Sequence, residues 1–151
     1  MLNYEIKKII ENACSYLYKE EFNLIKNKTH ERTISGEIFC HIRKIFQDKG
    51  WDVDLEYNRE GDSTDPKQDD IGRMFPDIAV HTRGSVNGPN LFALEIKGYW
   101  NKANRSIDED KLRRLREKYK YKYLYQLELG PNNWVLKEVD PIDSKEYLRS
   151  H

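Results

Sequence analysis

Met74-Phe75-Pro76-Asp77-Ile78-Ala79-Val80-His81-Thr82 and Leu91-Phe92-Ala93-Leu94-Glu95-Ile96-Lys97 are two short apolar runs. They are separated by residues 83–90, which contain two glycines and a proline. Short apolar runs bounded by turn residues read as strands joined by a hairpin connection. Side chains alternate between the faces of a strand, so Asp77, Ala79 and His81 share one face of the first run. Glu95 and Lys97 share one face of the second, and Phe92, Leu94 and Ile96 take the other. Folding the hairpin about residues 85–87 sets Asp77 opposite Glu95 and Ala79 opposite Ala93. Two carboxylates and an ammonium then fall on one face, at the end of the hairpin away from its turn.

Like charges directly across a ladder are destabilising. A divalent cation between the carboxylates removes that penalty, and Mg²⁺ is usually held by one or two carboxylates, with water and substrate phosphate completing its octahedron. Lys97, one pleat along, is placed to neutralise a scissile phosphate or orient a metal-activated water. The chemistry inferred from these residue types is metal-assisted phosphodiester hydrolysis. The same three charges are also compatible with an exposed strand pair in which Lys97 bridges two acids. Glu37 adds a further carboxylate at the edge of the apolar stripe of its helix, where an unpartnered acid is seldom buried. It is expected to complete the acidic cluster, with Gly36 beside it allowing close helix approach. Pairing of Glu37 with Arg43 or Lys44 is the alternative.

Outward from this hairpin, residues 3–26 and 31–48 carry apolar side chains at helical spacing, with Gly50 placed to end the second helix. Residues 51–57 alternate as a half-buried strand. Residues 58–73 have no period and are rich in acids, so they read as a solvated loop. A third helix is expected over 107–120, opened by Asp108, Glu109 and Asp110 near its positive end. Strands follow at 121–129 and 134–139, after the turn Gly130-Pro131-Asn132-Asn133. The order α-α-β-β-β-α-β-β predicts an α/β fold with a mixed central sheet flanked by helices.

At 151 residues the chain has room for one domain. Aromatics at 12%, including ten Tyr and three Trp, supply core material that a disordered chain lacks. Lys plus Arg and Asp plus Glu both total 26, so net charge selects no partner. Without a visible secretory signal or an apolar span, a cytoplasmic protein is expected, with Cys14 and Cys40 as buried reduced thiols. The cysteines and the four histidines are too scattered for a zinc site. His41 and His81 are expected to be packing residues.

Met74-Phe75-Pro76-Asp77-Ile78 followed by Leu94-Glu95-Ile96-Lys97 resembles the bipartite motif of the PD-(D/E)XK nuclease superfamily. The order from Glu31 to Leu129 resembles the core of that restriction-endonuclease-like fold, and Glu37 matches the acid its first core helix often supplies. The resemblance implies a core over 30–140 with an additional N-terminal helix at 1–28. It implies Mg²⁺, with Mn²⁺ able to substitute, held by Asp77, Glu95 and the backbone carbonyl of Ile96, and Lys97 as the catalytic lysine. The expected activity is nuclease, on DNA rather than RNA. The alternative is a catalytically inactive domain of the same fold that binds nucleic acid or protein.

Lys111, Arg114 and Lys118 form a stripe beside the inward Leu112 and Leu115, suited to tracking a phosphate backbone. An ordinary charged helix face would look the same. Arg73 is a further candidate for phosphate contact. Nothing reads bases recognisably, so specificity would come from substrate structure, a homodimer or a partner subunit.

Overall fold

A computed structural model of the chain describes residues 1–56, 75–84 and 89–142, and the backbone alone at 68–69 and 72–73. The elements in chain order are α1 (Asn3–Glu20), α2 (Phe22–Lys26), α3 (Glu31–Gln47), β1 (Asp52–Leu55), β2 (Gln68–Asp69), β3 (Gly72–Arg73), β4 (Ile78–His81), β5 (Asn90–Gly98), α4 (Arg105–Tyr119), β6 (Tyr121–Leu129) and β7 (Trp134–Glu138). Most of the 58–73 loop, the 85–87 turn and Met74 fall outside the described residues.

Five strands form a mixed sheet in the order β1-β4-β5-β6-β7, and β2 pairs with β3 separately. β5 and β6 run parallel; the other neighbours are antiparallel. Parallel neighbours need a crossover connection, and α4 provides it. Ala79 lies opposite Ala93 and Ile78 opposite Leu94. The expected hairpin register is therefore present.

The pleat divides the core into two layers. Phe92, Leu94 and Ile96 point to one side, where they meet Ile34, Ile38, Ile42 and Phe46 of α3 and Ile6, Ile10 and Leu17 of α1. The Phe46 and Phe92 rings meet edge-on at 5.3 Å. Ala79 and Ala93 point to the other side, under Leu112, Leu115 and Tyr119 of α4. Small side chains on that face let α4 lie close to the sheet. The N-terminal helix is part of the main core rather than an appendage to it.

Several local expectations are corrected. The first helix breaks at Glu21, whose backbone leaves helical geometry (φ −123°, ψ 30°), giving α1 and α2. The third begins two residues early, because the Asn104 carboxamide accepts the Ser106 N–H at 3.0 Å and caps the helix there. Cys14 is buried, but Cys40 sits on the outer side of α3 and is exposed; both are free thiols. Gly36 mediates no close approach, since a Cβ placed there would meet nothing within 4 Å. Among the described residues, no helix is long and apolar enough to cross a membrane.

Candidate metal and catalytic site

Pro76 interrupts the approach to β4, and the β4–β5 ladder begins at Ile78 opposite Leu94. Beyond that pair, the Asp77 carboxylate replaces a backbone acceptor: its Oδ2 accepts the Ile96 N–H at 2.7 Å. The Asp77 carbonyl accepts the Glu56 N–H at 2.9 Å. A residue in an antiparallel ladder directs its N–H and C=O to the same edge. The Ile96 carbonyl therefore faces the Asp77 side.

Glu95 projects from β5 toward α4, with a side chain only 2% exposed. Burial pushes its carboxyl up to about 8, and the neighbouring Asp77 charge adds to the rise, against the pull of Lys111. Burial also raises Asp77, although the Ile96 N–H and the ammoniums of Lys111 and Lys97 oppose it. The two carboxylates thus share one desolvated pocket and act on each other.

Lys97 lies on the same face and places its Nζ 3.6 Å from Oδ2 of Asp108. Its cross-strand neighbour Glu128 is taken by Arg105 through two hydrogen bonds of 2.8 Å. At the end of β5, Glu31 accepts the Gly98 N–H at 2.8 Å and the Asn101 carboxamide N–H at 2.7 Å. Gly98 has no space for a side chain, because a Cβ there would lie 2.4 Å from the Trp100 ring.

The structure brings Asp77, Glu95, Ile96 and Lys97 together as the pleat requires. It does not bring Glu37. The apolar stripe of α3 packs on the Phe92–Leu94–Ile96 side of the sheet, whereas Glu95 and Lys97 point to the α4 side. Glu37 is half-buried and makes no hydrogen bond or ion pair among the described residues. From α3 it is Glu31, not Glu37, that reaches β5.

Lys111 also departs from expectation. It turns inward to Glu95, with 2.7 Å between Nζ and Oε1, instead of lying on a solvent-facing stripe. Lys118 remains exposed, its ammonium 5.5 Å from the Tyr119 ring centroid, and Arg114 is half-buried. The Arg73 side chain lies outside the described residues. His81 is buried and hydrogen-bonded to Asp54 at 2.7 Å, away from the acid pair. His41 packs on Tyr16 with ring centroids 4.1 Å apart.

Two members of the cluster escaped the sequence reading: Asp108, read as a dipole-stabilising acid, and Lys111, read as a phosphate contact. A signal was present. Asp108, Leu112, Leu115 and Tyr119 recur at helical spacing, so Asp108 extends the buried stripe of α4 by one turn. A charged residue in such a position needs a partner from the sheet.

Among the described residues, no three His, Cys, Asp or Glu side chains converge as a ready-made metal set. The donor chemistry nevertheless suits Mg²⁺, which needs only one or two carboxylates and completes its shell with water and other oxygens. Asp77 and Glu95 would supply those carboxylates, and the Ile96 carbonyl a main-chain oxygen on the same side. Glu95 Oε1 and Asp108 Oδ2 are buried, with Lys111 and Lys97 as their cationic partners at 2.7 and 3.6 Å.

No family model and no curated protein matches the chain. A solved structure described as "Crystal structure of SSO0001" is similar at a TM-score of 0.38 and 14% identity, over 95% of this chain and 70% of that one. A likeness this loose carries no argument about either fold family or function.

Proposed function

We propose that this chain is a divalent-metal-dependent nuclease with a restriction-endonuclease-like core of the PD-(D/E)XK type, hydrolysing phosphodiester bonds of nucleic acid, DNA in preference to RNA. The observation that carries the reading is the convergence of Asp77, Glu95 and Lys97 from adjacent strands onto one face, with Asp77 held by the Ile96 N–H. Mg²⁺ or Mn²⁺ bound by Asp77, Glu95 and the Ile96 carbonyl would act as a Lewis acid and lower the pKa of a bound water. Lys97 contributes a cation beside the reacting phosphate, with Asp108 3.6 Å from its ammonium as a counter-charge. Burial of Glu95 keeps the dielectric low, which strengthens each of these electrostatic contacts. Lys118 and Arg114 on α4 are the phosphate-backbone contacts of this reading, and a homodimer or partner subunit supplies any sequence preference.

The test is cleavage of supercoiled, linear, branched and single-stranded DNA, and of RNA, with Mg²⁺ or Mn²⁺. Asp77→Asn, Glu95→Gln and Lys97→Met are each expected to lower cleavage about 100-fold or more, as removal of a single transition-state contact does. Their thermal melts should stay cooperative. Cleavage of no substrate by the unmodified protein overturns the proposal.

A second reading has its own supporting observation. Lys111 pairs with Glu95 and Lys97 with Asp108, so the pocket neutralises much of its charge internally. On this reading the domain is catalytically inactive and binds nucleic acid or a partner protein. Calorimetric titration with Mn²⁺ separates the two, since only the enzyme requires binding that Asp77→Asn removes.

A further inference from the structure

We propose that Lys111 is the resident countercation of the acid pair and leaves Glu95 when a divalent ion binds, so that α4 and the metal compete for one carboxylate. The inference rests on the metal-dependent reading above and concerns a residue outside the Asp77–Glu95–Lys97 motif.

Three observations carry it. The Lys111 ammonium lies 2.7 Å from Oε1 of Glu95 and is the partner of that buried oxygen among the described residues, so it occupies the place a metal would take on Glu95. The two partners also differ in exposure: the Glu95 side chain is 2% exposed and that of Lys111 27%. The carboxylate is therefore fixed at the bottom of the pocket, while the lysine stem runs from it toward solvent and can swing out by rotation about its own bonds. The third observation is the charge of the cluster. Asp77, Glu95 and Asp108 face Lys97 and Lys111, so two ammoniums already serve three carboxyl groups. A divalent ion added with both ammoniums in place brings four positive charges against at most three negative ones in a desolvated pocket. Withdrawal of Lys111 leaves three against three.

The displaced ammonium stays on α4, beside Asp108 one turn away, at the mouth of the site. Lys111 thus stabilises the metal-free pocket and opposes the metal. In a purely structural ion pair the lysine would instead stay on Glu95 when the metal binds.

Two measurements test this. In calorimetry with Mn²⁺ alone, Lys111→Met should bind roughly tenfold or more tightly than the unmodified protein, because a nearby like charge has been removed. Its metal-free form should melt at lower temperature, because a buried carboxylate has lost its partner. In the unmodified protein, labelling with an amine-reactive reagent and peptide mass spectrometry should show Lys111 modified several-fold faster with Mg²⁺ than without it. This second arm does not depend on the variant folding. Unchanged or weaker Mn²⁺ binding by folded Lys111→Met overturns the proposal, as does labelling of Lys111 that Mg²⁺ does not alter. If the unmodified protein binds no Mn²⁺, or if Asp77→Asn leaves binding intact, the metal-dependent reading itself has failed.

Discussion

Asp77 is gripped at both ends, its side chain by the Ile96 N–H and its carbonyl by the Glu56 N–H. That restraint sets the carboxylate where a strand residue would otherwise continue the ladder, and it survives loss of the charge. Asp77→Asn keeps an oxygen able to accept the Ile96 N–H. The variant is therefore expected to melt cooperatively while losing Mn²⁺ binding, checked by thermal melting and calorimetry side by side. Asp54 illustrates the opposite case. Its oxygens accept from His81 Nε2 at 2.7 Å and from Arg83 at 2.8 and 2.5 Å. Burial alone would raise its pKa, but those hydrogen bonds and charges hold it well below the usual carboxylate range. A carboxyl lowered on folding contributes stability above its unfolded pKa, and the contribution is lost as pH falls through the folded one. Asp54→Asn is expected to cost about 1–3 kcal/mol at neutral pH, measured by denaturant unfolding, because buried His81 loses its charged partner. Cleavage should be unaffected in the folded fraction.

At the scale of elements, α3 and α4 present opposite demands. α3 is anchored by Ile34, Ile38, Ile42 and Phe46, and its Gly36 touches nothing that an alanine would displace. A glycine inside a helix costs about 1 kcal/mol relative to alanine. Gly36→Ala is accordingly expected to stabilise the protein by about 1 kcal/mol in a urea titration, with activity unchanged; destabilisation would mean that α3 packs more tightly there than the structure shows. α4 has less freedom. Its stripe places Leu112, Leu115 and Tyr119 over Ala79 and Ala93, and the same stripe carries Asp108 toward Lys97. The small residues on the sheet bring the helix close, and that closeness lets Lys111 reach Glu95.

For the whole molecule, the buried acid pair couples folding to pH. Glu95 has an ordinary unfolded value near 4.5 and a folded value of about 8, raised by burial and by Asp77. Between those two values the folded chain binds the proton that the unfolded chain has released. The derivative of unfolding free energy with pH is then negative for this group. Metal-free protein is expected to lose stability as pH rises from about 4.5 to about 8, and Glu95→Gln should flatten the slope across that window. Melting temperature followed across the range, in chelator, checks both statements; a slope identical in the two proteins would assign the effect elsewhere.

The face shared by Asp77, Glu95 and Lys97 was legible in the chain itself, because alternation in a strand is a local rule and the hairpin register follows from two short apolar runs. The broad α/β order was legible for the same reason: helical and strand periodicities depend on neighbours a few residues away. Glu37, Asp108 and Lys111 were not legible in that way. Which side of the sheet a helix covers depends on how the whole chain connects, and on where small residues such as Ala79 and Ala93 permit close packing. Only the tertiary structure put α3 on one face and α4 on the other, and so set Lys111 and Asp108 beside the acids and kept Glu37 from them.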